Sequence, residues 1–317
     1  MYKIDWQINI GAYRLGLLDS VSIHSSIELL ADTATIQLPA TVLNRALEVE
    51  DKIKRGDGVH IRAGYDGNLR TEFKGFLNAI KMKEGSIVLE CEDAIFLTRK
   101  ALPNKTLKMT TIRGLLQEVV NVMGGGYTAR TNYERGWDKF VFDSSTGYDV
   151  LKKIQEECAL NIYIKDKTLI AEPRDAYDAN KIAQYDFARN IEKNDLTYRR
   201  TDEKDFEVTV EGITKDGKRK SVKIGTPHGD KRKIVISGVI DEAALRQRGQ
   251  EEMKLLQYNG YEGSITGWLL PYIEAGYGVK LHDGEYETRN GTYHAVSVTT
   301  EISASGASRK IQLGRKL

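Results

Sequence analysis

Five histidines, two cysteines and several adjacent carboxylates are the side chains of this 317-residue chain that could carry metal or acid–base chemistry. His24, His60, His228, His282 and His294 are scattered, and no two stand at the i, i+4 spacing that places two imidazoles on one helix face for zinc. His60 and His294 read as polar members of alternating strands, and so as solvent-facing residues. Cys91 falls in a strand-like run and Cys158 on a helix face, so neither a disulfide framework nor a Cys-based zinc site is expected. Glu156-Glu157 and Glu251-Glu252 lie on helical stretches, where pairing with a Lys or Arg four residues away accounts for surface carboxylates. The densest polar cluster, His282-Asp283-Gly284-Glu285, has the composition of a hydrophilic hairpin tip. No Gly-x-Ser-x-Gly elbow, Walker loop or dinucleotide fingerprint occurs, and Gly124-Gly-Gly126 follows a predicted helix, the wrong end for holding phosphate. The expectation is a protein that is not an enzyme and uses no cofactor and no metal.

Binding chemistry is also sparse. Lys215, Lys218, Arg219, Lys220, Lys223, Lys231, Arg232 and Lys233 form the one basic stretch, on a predicted hairpin. No aromatic interleaves with these charges as a single-strand platform requires, whereas lysines commonly guard an exposed strand edge. A rim facing an acidic partner stays open as a reading. Overall, 47 Lys and Arg against 45 Asp and Glu leave a net charge of +2, too small to imply nucleic-acid or membrane binding by the whole chain. No run approaches the roughly 18 apolar residues of a membrane span. Met1-Tyr-Lys-Ile-Asp-Trp6 lacks a signal peptide's apolar stretch, so synthesis in the cytoplasm, with any export signal-free, is expected. Neither sequence-specific nucleic acid nor membrane insertion is anticipated.

The elements that would carry these residues are mostly strands. Sixteen tyrosines against five prolines favour strands, and 29 glycines supply turns. Alternation is clear at Thr33 to Leu38 and at Val59 to Tyr65, where Asp66-Gly67 signals a two-residue hairpin. A short helical turn through Val42, Leu43, Ala46 and Leu47 is predicted between them. A second hairpin turns at Glu84-Gly85, and Ile87, Leu89 and Cys91 line one face after it. Helical spacing appears at Ile112, Leu115, Leu116, Val119, Val120 and Met123 after Thr110-Thr111, and again after Ser145-Thr146 up to about Asn161. Lys165-Asp-Lys-Thr reads as a further hairpin. Phe206, Val208 and Val210 turn at Asp216-Gly217 and return through Val222 and Ile224, and a helix from about 241 to 258 ends at Asn259-Gly260. The predicted organisation is a first β-domain at 1–97, an α+β insertion at 98–184 and a second β-domain at 185–317.

The two β-domains share wording. Ile53-Lys-Arg-Gly56-Asp-Gly58-Val59-His-Ile61 reappears as Ile273-Glu-Ala-Gly276-Tyr-Gly278-Val279-Lys-Leu281, an offset of 220 (273 − 53). Gly75-Phe-Leu-Asn-Ala79-Ile80 echoes Gly291-Thr-Tyr-His-Ala295-Val296 at an offset of 216 (291 − 75), which a shorter hairpin loop would absorb. Two copies of one unit in a chain suggest a pseudo-symmetric assembly scaffold rather than a catalyst. Matching hairpins of the copies, Tyr65, Asp66, Gly67, Asn68 and Leu69 in one and His282, Asp283, Gly284, Glu285 and Arg289 in the other, are the candidate contact loops.

These residues resemble a known family. Asp51-x-Ile53-x-x-Gly56-Asp57-x-Val59-x-Ile61-x-x-Gly64-Tyr65-Asp66-Gly67, followed by Phe73-x-Gly75, is similar to the first tube module of phage baseplate hub proteins, the late control gene D group. Gly263-x-Ile265-x-Gly267-x-x-x-Pro271-x-Ile273-x-x-Gly276, with Gly291-x-Tyr293 and Ile311-x-Leu313-Gly314, resembles the second. The resemblance implies a mainly β fold in which two similar small antiparallel β-barrels are joined by a small α+β domain. It further implies a homotrimer presenting six barrels as a pseudo-hexameric ring between a sixfold tail tube protein and a threefold spike, among other baseplate components of a phage tail or type VI device assembled in the host cytoplasm. No spike-forming β-helix follows the second module, so the spike is expected to be a separate protein. A distal tail or tube-initiator ring, a carbohydrate-binding β-protein and a hydrolase assembled from distant residues are the alternatives.

Overall fold

Alternating apolar residues joined by tight turns make this chain fold mainly as β-sheet, with the α-helices confined to one part of it. The computed structural model of the chain describes residues 3–42, 45–46, 49, 51–83, 85–201, 204–213, 217–239 and 241–317. The leading strands are β1 (Ile4–Ile10), β2 (Ser20–Ser26), β3 (Thr33–Pro39), β4 (Gly58–Tyr65), β5 (Asn68–Lys83) and β6 (Ser86–Glu92). Then come β7 (Lys105–Thr111), α1 (Ile112–Met123), β8 (Thr128–Thr131), β9 (Gly136–Phe142), α2 (Gly147–Cys158), β10 (Leu160–Lys165) and β11 (Thr168–Pro173). The remainder is β12 (Ile182–Asp186), β13 (Ile191–Arg199), β14 (Phe206–Ile213), β15 (Arg219–Gly225), β16 (Asp230–Val239), α3 (Glu242–Leu256), β17 (Gly260–Gly267), β18 (Gly278–His282), β19 (Gly291–Ser303) and β20 (Gly306–Lys316).

One large sheet carries the duplication. Its strands run β13-β17-β20-β19-β2-β3-β6-β5-β4-β1, with β12 on β18 and β18 on β19. The first copy is thus ordered β1-β4-β5-β6-β3-β2 and the second β12-β18-β19-β20-β17-β13, the same six-strand path. The copies differ in their first strand, since β1 is antiparallel to β4 whereas β12 is parallel to β18. They are welded where β19 pairs antiparallel with β2, Ser297 opposite Ser26 through Ser303 opposite Ser20. Leu269 and Ile302 of the second copy accordingly share one buried cluster with Ile8, Val21, Ile36 and Ile61 of the first.

The repeated glycines explain the shared wording. Gly56 has φ of 92° and Gly276 of 87°, a region that side chains with a Cβ rarely adopt. Gly56 N–H donates to Leu77 O at 2.8 Å, and Leu77 N–H to Asp57 O at 2.9 Å. Gly276 N–H donates to Ala295 O at 2.8 Å, and Ala295 N–H to Tyr277 O at 2.9 Å. Ile53 and Ile273, three residues earlier, are both buried. The second echo is corrected by this register. Gly75 opposes Val59 and Tyr293 opposes Val279, so Tyr293 is the counterpart of Gly75 at an offset of 218 (293 − 75), and the Gly75 to Gly291 match is a coincidence of spelling.

The described residues gather into two compact units, one of Met1–Phe96, Asp178–Leu196 and Gly263–Leu313, the other of Leu97–Tyr177, Thr197–Glu262 and Gly314–Leu317. The stretch expected as one domain at 185–317 is therefore divided. Its strands β14, β15 and β16 form a separate sheet whose core, Val208, Val210, Val222, Ile236 and Leu245, is closed by α3. The other small sheets of that unit are β7 with β9, and β8, β11 and β10.

Local signals mostly act where they were read. Asp66 and Gly67 both take positive φ in a two-residue turn pairing Tyr65 with Asn68, and Asp166-Lys167 does the same between β10 and β11. Thr111 caps α1 by accepting from Gly114 N–H, and Thr146 and Asp149 form a reciprocal capping box on α2. Asp241 caps α3, which stops at Leu256 ahead of the expected Asn259-Gly260 because Gly260 already opens β17. The predicted helical turn near residue 42 is instead a pair of two-residue strands, Thr41–Val42 and Arg45–Ala46, whose backbone pairing outcompetes a single unsupported turn. Leu43, Leu47, Glu84, Lys215 and Asp216, used in the sequence reading, lie outside the described residues.

Candidate assembly interface

The candidate loops are the ends of equivalent strand pairs, β4–β5 and β18–β19, but they are built differently. In the first, Asp66, Gly67 and Asn68 are exposed and Tyr65 and Leu69 half-buried. Lys3 N–H donates to the Asp66 carboxylate at 3.0 Å, and Gly67 N–H to the Asp5 carboxylate at 2.9 Å, which tie the turn to the start of β1. Hydrogen bonds from Lys3 and Gly67 hold the Asp5 carboxyl below its usual range. Tyr65 Oη accepts from Leu269 N–H at 3.3 Å, and Tyr65 also lines an open cleft of about 550 Å³ with Lys3, Ile4, Glu192, Trp268 and Ala307.

In the second loop, His282, Gly284 and Glu285 are exposed, Arg289 is half-buried, and Asp283 is buried. The Asp283 carboxylate accepts from Glu285 N–H at 2.8 Å, Tyr286 N–H at 3.0 Å and Arg289 Nη1 at 3.0 Å. Burial pushes its pKa up, and the two backbone donors and the guanidinium outweigh this and hold it low. Asp283 is therefore the internal organiser of its loop, while Gly284 and Glu285 form the surface. A longer loop needs such an anchor because it lacks the register of a two-residue turn.

Sequence reading missed a buried ion pair between the copies. Arg309 of β20 is 1% exposed and reaches Glu72 of β5, 5% exposed, at 2.8 Å; it also donates to Ile273 O at 3.1 Å and lies 5.0 Å from the Tyr272 ring centre. Burial raises the Glu72 pKa, partly offset by Arg309 and Arg70. An isolated Arg in an alternating strand gives no local sign that its partner stands 237 residues away. Asp32 and Asp93 form a second, half-buried polar site, with Asp93 N–H on Asp32 O at 2.9 Å and Ser26 N–H on the Asp32 carboxylate at 3.2 Å. Burial pushes the Asp32 carboxyl up to about 6 despite hydrogen bonds from Ser25 and Ser26, and burial with the Asp32 charge holds Asp93 well above its ordinary range.

Two expectations about polar residues need correction. His294 is 4% exposed, because Tyr293, His294 and Ala295 are all buried and strand alternation fails where both faces are covered. Glu157 is buried and not a surface carboxylate; Arg135 reaches it at 3.2 Å and also donates to Cys158 Sγ at 2.9 Å. The basic stretch lies on the two edge strands of its sheet, where Lys220 pairs with Glu242, Lys223 with Glu207 and Lys233 with Glu211 while staying exposed. Glu252 does meet Arg248 four residues away, at 2.9 Å. Cys91 and Cys158 are buried free thiols, and burial pushes Cys91 up to about 12. Among the described residues no group of three or more His, Cys, Asp or Glu could hold a metal ion, and no helix is long and apolar enough to cross a membrane.

Solved structures share this architecture. The tail protein from Neisseria meningitidis MC58 superposes with a TM-score of 0.67 at 16% identity, covering 99% of this chain and 97% of that one. The 43 kDa tail protein of prophage MuSo2 from Shewanella oneidensis gives 0.68 at 14% identity, over 99% and 98%. An E. coli component of the type VI secretion system, itself described as similar to T4 bacteriophage tail proteins, gives 0.62 at 9% identity, over 99% and 77%. No family model and no curated protein matches the sequence. The chain has the fold of these tail and secretion proteins.

Proposed function

We propose that this chain is a structural hub subunit of a contractile tail baseplate or related injection system, working as a homotrimer that adapts a sixfold tail tube to a threefold spike. The observation that carries this reading is the duplicated six-strand path, with Gly56 and Gly276 in matching hydrogen-bonded turns. Three subunits with two like modules each offer six near-equivalent surfaces, which one module per subunit cannot do. The exposed tips at Asp66, Gly67 and Asn68 and at Gly284 and Glu285 are the proposed tube contacts, with more than roughly 1,000 Å² needed per stable junction. Its place is then the virion tail baseplate, and its work is mechanical rather than catalytic.

Native mass measurement and negative-stain imaging of the purified chain test this. A trimer with six-lobed projections is expected. A hexamer would favour a distal tail or tube-initiator ring, and tube docking that survives Asp66→Lys combined with Glu285→Lys would remove the tips from the interface.

A further inference from the structure

The weld between the copies inside one chain leaves two strand edges open at symmetry-related places. In the second copy, β19 uses one half of an edge for β18 and the other half for β2. In the first copy, β5 uses the matching half for β4, but among the described residues no strand pairs with that edge beyond it, at Ala79–Lys83. The counterpart of β2 in the second copy is β13, which among the described residues ends the sheet and pairs with β17 alone. One chain therefore contains one filled junction, β19 with β2, and the two halves of an unfilled one, β5 and β13.

Side chains agree with this reading. The hairpin between Lys83 and Ser86 matches the one between Ser303 and Gly306 at an offset of 220 (303 − 83), two more than at Leu77 and Ala295 because β19 is two residues longer from there to its hairpin; counted back from the hairpins, Met82 corresponds to Ile302. Ile302, opposite Val21 in the filled junction, is 1% exposed, whereas Met82 is 60% exposed. Along β13, Glu192, Lys193, Asn194 and Asp195 are exposed in succession, unlike the alternately buried β2. The open half of β5 carries Lys81, ion-paired with Glu90 of β6, and the exposed Lys83, and β13 carries Glu192, Lys193 and Asp195, so Lys83 and Glu192 are the opposite charges that the antiparallel seating brings together.

We propose that a second copy of this chain seats its β13, at Ile191–Leu196, antiparallel against the Ala79–Lys83 edge of β5, repeating between subunits the β19–β2 pairing made within one. This rests on the hub reading and names the contact that closes its ring. The contact is head-to-tail, so each subunit uses β5 towards one neighbour and β13 towards the other, and the ring removes both exposed edges.

The test mixes isotope-labelled and unlabelled full-length chains, couples lysines to carboxylates with a zero-length carbodiimide, and reads mixed-isotope peptide pairs by mass spectrometry alongside native mass. Adducts joining Lys81 or Lys83 to Glu192 across chains are expected. In the antiparallel register Lys83 meets the Glu192 end of β13, so Lys83→Glu or Glu192→Lys alone should weaken assembly roughly tenfold, and the two together should restore it. A trimer whose adducts fall elsewhere overturns the strand pairing and leaves the hub reading standing. A hexamer with these adducts supports the pairing and removes the trimer, and a chain that stays monomeric at every concentration overturns both.

Discussion

Desolvated carboxyls are the residues whose behaviour is least visible in the text of the chain and most open to measurement. Asp32 and Asp93 are unremarkable turn-forming letters in sequence, yet the fold places them side by side, half-buried and partly desolvated. An acid whose folded pKa lies above its unfolded value stabilises the protein fully below the unfolded value, and loses that contribution as pH rises through the folded one. With Asp32 moved from 3.8 to about 6, stability to urea is expected to fall between about pH 4 and pH 6. Asp32→Asn keeps an acceptor for Ser26 N–H and should flatten that window; an unchanged slope would mean that Asp32 titrates normally. The glycines behaved differently, since Gly56 and Gly276 are legible from sequence because their turns demand positive φ whatever surrounds them.

Among elements, strands with clean alternation and helices with caps were readable. β12, β13, β7 and β9 were not, because their faces mix polar and apolar residues and their partners are remote. The Arg309–Glu72 pair shows the same limit from the packing side. Removing one partner of a buried pair leaves the other charge stranded, at a cost of about 3–5 kcal/mol, whereas replacing both by apolar groups is far milder. Glu72→Ala should therefore destabilise strongly, and Glu72→Leu with Arg309→Met should recover most of the loss in denaturant titration. Additive losses in that double-mutant cycle would show that β5 and β20 are not coupled through this contact.

For the full chain, the sharing of one core by both copies predicts cooperative unfolding of the two β-modules. Ile302 lies in the second copy but packs into the cluster built on Ile8, Val21 and Ile61. Ile302→Ala is expected to cost about 2–5 kcal/mol. Hydrogen exchange should then accelerate at amides of β1 and β4 as well as β19; protection lost in β19 alone would mean that the modules open independently. The same sharing explains why the sequence reading drew a border at residue 185, where the text changes character, whereas the compact units interleave three and three segments of chain.

What could be read from the letters is what short-range physics sets: strand alternation, two-residue turns, helix caps, and a repeated glycine turn that announces a duplicated module. The β4–β5 and β18–β19 tips were found because turn chemistry is local. The register of the second echo, the burial of His294 and Asp283, the Arg309–Glu72 pair, and the open edges of β5 and β13 came from folding alone. Each depends on which strand lies alongside, a choice made by packing between residues hundreds of positions apart that carries no signature within a window of sequence.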